Sequence, residues 1–134
     1  MTVPLACVFV AFVLIWVPRI AALVAQARQP GGYDNRAPRD QQARLEGWGK
    51  RAQAAHANAF EAFAPFAAAV LVAHAAHADP GWSANLAVLF VVARTLYPVA
   101  YLADKATLRS AIWLTGLVAT TGLFLLPWLT LGRA

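Results

Sequence analysis

Arg51, Asn58 and Glu61 lie seven and then three residues apart. At about 100° per residue that spacing puts them on one stripe of a helix. Arg94, Tyr97 and Tyr101 form a second stripe, within roughly 60° of one another by the same geometry. Both sets sit in otherwise apolar surroundings. An unpaired Glu or Arg in hydrocarbon costs at least roughly 2.5–3.5 kcal/mol on insertion scales. Glu61 and Arg94 therefore need each other, or another polar group, in a protein-lined cavity. One outcome is an ion pair that only fixes helix register; the other is a binding site. The neighbouring tyrosines and Asn58 favour the site, because a simple lock needs no row of extra donors. Thr107-Leu108-Arg109-Ser110 adds a guanidinium and a hydroxyl at the start of a further helix. A cation there opposes the helix dipole, which marks either an anionic partner or an ordinary positive-inside anchor.

The elements that position these groups are membrane spans. The 134 residues are 60% hydrophobic and 13% charged, against roughly 45–50% and about 25% in soluble domains. A chain this short could not bury that much apolar surface in water. The hydropathy pattern predicts an all-α integral membrane four-helix bundle in one domain, with spans at about 3–27, 52–78, 82–103 and 108–131. Residues 28–51 form a loop and a helix extension, and the second helix is expected to begin near Gln41. Ala25-Gln26-Ala27 could end a signal peptide, but no basic segment precedes the apolar run, so the first span is read as retained. The fourth span carries no charge between Ser110 and Arg133 and reads as lipid-facing or packing surface.

Charge sets the orientation. Arg28, Arg36, Arg39, Arg44, Lys50 and Arg51 cluster in one segment, on the same side as Lys105 and Arg109. The positive-inside rule makes that side cytoplasmic and leaves both termini outside. The net charge of +5 is thereby explained without nucleic acid as a partner. Cys7 is the only cysteine, so no intrachain disulfide exists. His74 and His77, with only Asp79 nearby, read as a solvated interfacial pair, and no metal is expected. Arg19 lies near the end of the first span, where its stem allows the guanidinium to reach the interface. Pro65 and Pro98 each stand four residues after an intramembrane charge, freeing the carbonyls of Glu61 and Arg94.

Arg51-Ala52-Gln53-Ala54-Ala55-His56-Ala57-Asn58-Ala59-Phe60-Glu61, followed by Pro65-Phe66, resembles the second-helix signature of the MAPEG family, the membrane-associated proteins in eicosanoid and glutathione metabolism. Ala93-Arg94-Thr95-Leu96-Tyr97-Pro98-Val99-Ala100-Tyr101-Leu102, then Leu108-Arg109-Ser110, resembles the third helix and the start of the fourth. The likeness runs over nearly the whole chain, and microsomal glutathione transferases are the members it suggests. Ala57 and Ala59 replace the basic residue and aspartate common in eukaryotic members. The compact loops and alanine richness are similar to the bacterial branch, which implies a bacterial inner membrane.

The resemblance implies a homotrimer that binds glutathione, as co-substrate, between subunits near the cytoplasmic face. Arg51, Asn58, Glu61, Arg94, Tyr97 and Tyr101 would line the glutathione site, and Arg109 with Ser110 would act on the thiol. The implied activity is a glutathione transferase or a peroxidase-like reaction on a lipophilic small molecule drawn from membrane lipid. Two other classes compete. A small proton-coupled exporter would need Glu61 to titrate near neutrality, which nearby cations oppose. A non-catalytic scaffold would use the polar stripes only to hold subunits together.

Overall fold

The computed structural model describes residues 1–131. Six helices follow in order: α1 Val3–Leu14, α2 Trp16–Ala27, α3 Pro38–Ala43, α4 Gly47–Ala75, α5 Pro80–Leu102 and α6 Ala106–Leu131. Four segments are long and apolar enough to cross a membrane: Val3–Ala27, Gly47–Ala75, Pro80–Leu102 and Ala106–Leu129. The chain is an all-α integral membrane bundle. Large apolar side chains such as Phe9, Leu71, Val99, Leu114 and Trp128 stand exposed on the protomer. Lipid, not water, is the solvent in which such a surface is stable.

The first span is one crossing built of two helices, rather than the unbroken helix its hydropathy suggests. Pro18 has no N–H for the carbonyl of Leu14, and the chain turns at Ile15. The carbonyl of Ile15 is met instead by Nδ1 of His56 at 3.0 Å. A carbonyl can only accept, so Nδ1 carries the proton. His56 thus ties the kinked first span to α4, on the face away from Glu61.

The long second helix also differs from expectation. It begins at Gly47, not near Gln41, because α3 is a separate short helix. Gly47 adopts φ +53°, a left-handed turn that glycine makes without strain. The side chain of Gln41 is committed elsewhere. Its Nε2 donates to the carbonyls of Gly32 at 2.7 Å and Gln26 at 3.3 Å. Its Oε1 accepts from Nε2 of Gln26 and from the N–H of Asp34, both at 3.1 Å. Gln26 is wholly buried and Gln41 nearly so. The pair pins the basic loop against the end of α2. Gln41→Leu would strand several of these groups, at a cost of about 1–3 kcal/mol. The expected result is faster tryptic cleavage at Arg28 and Arg36, with the transmembrane helices still protected.

On the side away from the loop, α4 ends in a left-handed residue, His77 at φ +52°. The N–H of Ala78 returns to the carbonyl of Ala73 at 2.9 Å, which closes the helix end. Asp79 then caps α5 by accepting from the N–H of Trp82 at 2.8 Å. On the loop side, Asp104 at φ +58° ends α5 in the same way, with the N–H of Lys105 on the carbonyl of Ala100 at 3.0 Å.

The core is made largely of small residues. Cys7 and Ala11 of α1, Ala69 and Ala73 of α4, Ala87 of α5 and Ala119 of α6 let the helices approach closely. Phe66 and Phe90 fill the centre, their rings stacked with centroids 3.7 Å apart and 5° between planes. Directly beyond Phe90, toward the loop side, the polar residues begin.

Candidate functional site

Helix register brings the two stripes to one depth. Counting about 1.5 Å per residue from the far ends of α4 (Ala75) and α5 (Pro80), Glu61 and Arg94 each lie 14 residues in, roughly 21 Å down. Asn58 and Tyr97 each lie 17 residues in, roughly 26 Å down, still within a hydrocarbon core of about 30 Å. Arg51 is 24 residues from Ala75, roughly 36 Å, and so reaches the interface. The antiparallel hairpin of α4 and α5 alone creates this match.

Arg94 is the centre of the arrangement. It is only 8% exposed, and its Nη1 donates to Oδ1 of Asn58 at 2.9 Å. Nδ2 of Asn58 in turn makes a long contact of 3.5 Å with Oε2 of Glu61. Asn58 therefore stands between the two charges. The sequence left open whether Arg94 meets Glu61 or another polar group, and Asn58 is that group. The guanidinium lies between aromatic faces, 5.4 Å from the ring centroid of Phe90 and 5.0 Å from that of Tyr97. Rings supply attraction to a cation without supplying acceptors. Nε of Arg94 is buried without a hydrogen-bond partner among the described residues.

The second group follows α5 toward the loop side. Tyr97 is buried and its ring meets that of Tyr101 edge to face, with centroids 5.6 Å apart. The guanidinium of Arg109 sits over Tyr101, 4.5 Å from its centroid. One continuous row thus runs from Glu61 through Asn58, Arg94, Tyr97 and Tyr101 to Arg109. Ser110 is exposed beside it at the start of α6.

Arg51 is at the base of the row and pairs with Asp104, Nη1 to Oδ2, at 3.7 Å. Asp104 is largely exposed, so this contact contributes little to stability. Its effect is positional, directing Arg51 toward the α5–α6 connection. Nε of Arg51 and Oε1 of Gln53 are buried without partners among the described residues.

A cleft of about 180 Å³ opens beside Arg94, lined by Asn58, Glu61, Pro65, Trp113, Gly116 and Thr120 among others. Its polar wall is Asn58, Glu61 and Arg94, and half of its apolar lining comes from α6. Two threonines of α6 bond within the helix, Thr115 Oγ1 to the carbonyl of Ala111 and Thr120 Oγ1 to that of Gly116, both at 3.0 Å. Gly116 and Thr120 are the wall residues that span-level hydropathy hides. The one sequence signal is a glycine at the level of the polar stripes. Among the described residues no cluster of three His, Cys, Asp or Glu could hold a metal.

A bundle of membrane-spanning helices that carries arginine, asparagine and glutamate at hydrocarbon depth is a polytopic membrane protein with a polar cleft. The chain belongs to the MAPEG family, whose family model matches residues 3–129. That family includes glutathione transferases and related enzymes, and its members use glutathione and are generally oligomeric. No curated protein and no solved structure matches the chain.

Proposed function

We propose that this protein is a glutathione-dependent membrane enzyme, a transferase or peroxidase-like member, acting on lipophilic electrophiles that enter from the bilayer. The observation that carries this reading is the Arg94–Asn58–Glu61 array, open to a cleft at membrane depth. Glutathione has two carboxylates and one ammonium group. Arg94 and Arg51 match the carboxylates, since a guanidinium binds them through two parallel bonds. Glu61 matches the ammonium. Tyr97 and Tyr101 supply neutral donors along the peptide.

Arg109, with Ser110 beside it, is assigned to the sulfur. A guanidinium next to a thiol favours the thiolate, which is the nucleophilic form. In the conjugation step the thiolate sulfur forms a bond to the electrophilic carbon, and the leaving group departs with the bonding pair. The thiol proton goes to water at the cytoplasmic mouth.

The working unit in this proposal is a homotrimer with the site between subunits. Glu61 is exposed on the protomer although it lies roughly 9 Å inside a core of about 30 Å. A carboxylate facing lipid is costly there, and a neighbouring subunit together with the bound ammonium offsets that cost. The unpartnered Nε of Arg51 and Oε1 of Gln53 point the same way. The proposed setting is a bacterial inner membrane, with the basic loop in the cytoplasm and both termini outside.

Glutathione at a hundred times its dissociation constant should stabilise the detergent-solubilised protein by about 2.7 kcal/mol. A raised melting temperature, together with consumption of an activated aryl halide in the presence of glutathione, is the expected result. Stabilisation without any turnover would reduce the proposal to a glutathione-binding protein.

A further inference from the structure

Gly116 is on α6, in a stretch that carries no charge of its own. A Cβ built at this position would lie 2.8 Å from Nη2 of Arg94, 3.3 Å from Nε and 3.4 Å from Cζ. Three atoms of one guanidinium thus rest against the bare backbone of α6. The far end of an arginine is usually free to swing away from such a contact. Here it is not, because Asn58 holds Nη1 at 2.9 Å while Phe90 and Tyr97 cover the guanidinium at 5.4 and 5.0 Å. The backbone of α6 also carries a side-chain bond at this point. Thr120, itself buried, bonds the carbonyl of Gly116 at 3.0 Å. An i−4 bond of that kind is a local bending device in helices.

We infer that Gly116 is a positioning residue for the site: its missing side chain seats the Arg94 guanidinium and sets how far that group reaches into the cleft. The ligand assignment rests on the proposed glutathione site, whereas the seat itself is a property of the unliganded protein. Any side chain at position 116 pushes the guanidinium off the α6 backbone. The displacement either breaks the bond to Asn58 or drives the guanidinium across the cleft, into the space the ligand carboxylate would occupy.

The test is a double-mutant cycle on detergent-solubilised full-length protein without ligand. Gly116→Ala should lower the melting temperature when Arg94 is present. In an Arg94→Ala background the same change should be neutral or raise it, because the methyl group enters vacated space and alanine favours the helix. Gly122→Ala serves as control. Its Cβ meets only Leu86 side-chain carbons, at 3.1 and 3.3 Å, so its effect should be the same in both backgrounds. If Gly116→Ala alone fails to fold while the double variant folds, the coupling is the same and the inference stands. Equal losses in both backgrounds, or failure of both to fold, overturn it.

A second arm titrates glutathione. Gly116→Ala should weaken binding at least tenfold, while Gly122→Ala leaves it unchanged. Unaltered affinity in Gly116→Ala overturns the positioning role. If the wild type binds no glutathione, the functional proposal fails, and the ligand-free cycle still decides whether Gly116 seats Arg94.

Discussion

Arg94→Ala is expected to weaken glutathione binding at least a hundredfold, or about 2.8 kcal/mol, the largest effect on binding of any single change at the site. Arg94 is the buried cation of the row, held by Asn58 and covered by two rings. Its removal takes away the charge that, in the proposed site, would meet a ligand carboxylate at membrane depth, where such contacts are stronger than in water. It also releases Asn58, so that Glu61 loses its ordered neighbour. Arg94→Lys should recover little of the loss. An ammonium keeps the charge but cannot bond Asn58 and a carboxylate in the fixed fork of a guanidinium. Titration calorimetry of both variants checks this, with Gly122→Ala as a folded reference. Wild-type affinity in Arg94→Ala would move the carboxylate site elsewhere.

Arg109→Ala is expected to act on the rate instead. Arg109 lies over Tyr101 at the mouth of the site, 4.5 Å from the ring centroid, and is assigned to the sulfur rather than to the carboxylates. Loss of one such electrostatic contact typically lowers kcat by about 10²–10³. Glutathione affinity should change far less, because the ligand is held by its ionic ends. The pH dependence gives a second readout. A cation beside the sulfur lowers the pKa of the bound thiol, so thiolate is present at neutral pH. Without it the thiol returns toward an ordinary value of about 8.5. The acid limb of the pH–rate profile should then move to higher pH, and alkaline conditions should recover part of the activity. A profile that falls uniformly without moving would assign Arg109 to binding or assembly.

The parts of this site that were legible in the sequence are those governed by periodicity. Spacings of seven and three residues placed Arg51, Asn58 and Glu61 on one stripe of α4, and hydropathy placed the stripe near the loop side. Periodicity assigns a face to a residue but not a partner. Whether Arg94 meets Glu61 directly depends on side-chain conformations, and Asn58 stands between them. Gly116 was hidden for a related reason. A glycine in an apolar span has no polarity to mark it, and its role exists only because α6 packs against α5 at that level. By local composition Gln26 marks the end of a span and Gln41 the start of a helix. Their amides instead bond each other across the loop, a long-range contact to which local composition is blind. The kink at Ile15 could have been anticipated from Pro18, but its partner His56 is 41 residues away in sequence.

Calorimetric titration of glutathione into the purified wild-type protein tests the central claim most directly. Saturable binding that is lost in Arg94→Ala and retained in Gly122→Ala is the predicted result. No heat of binding from the wild type at millimolar glutathione, with the protein folded and oligomeric, would contradict it.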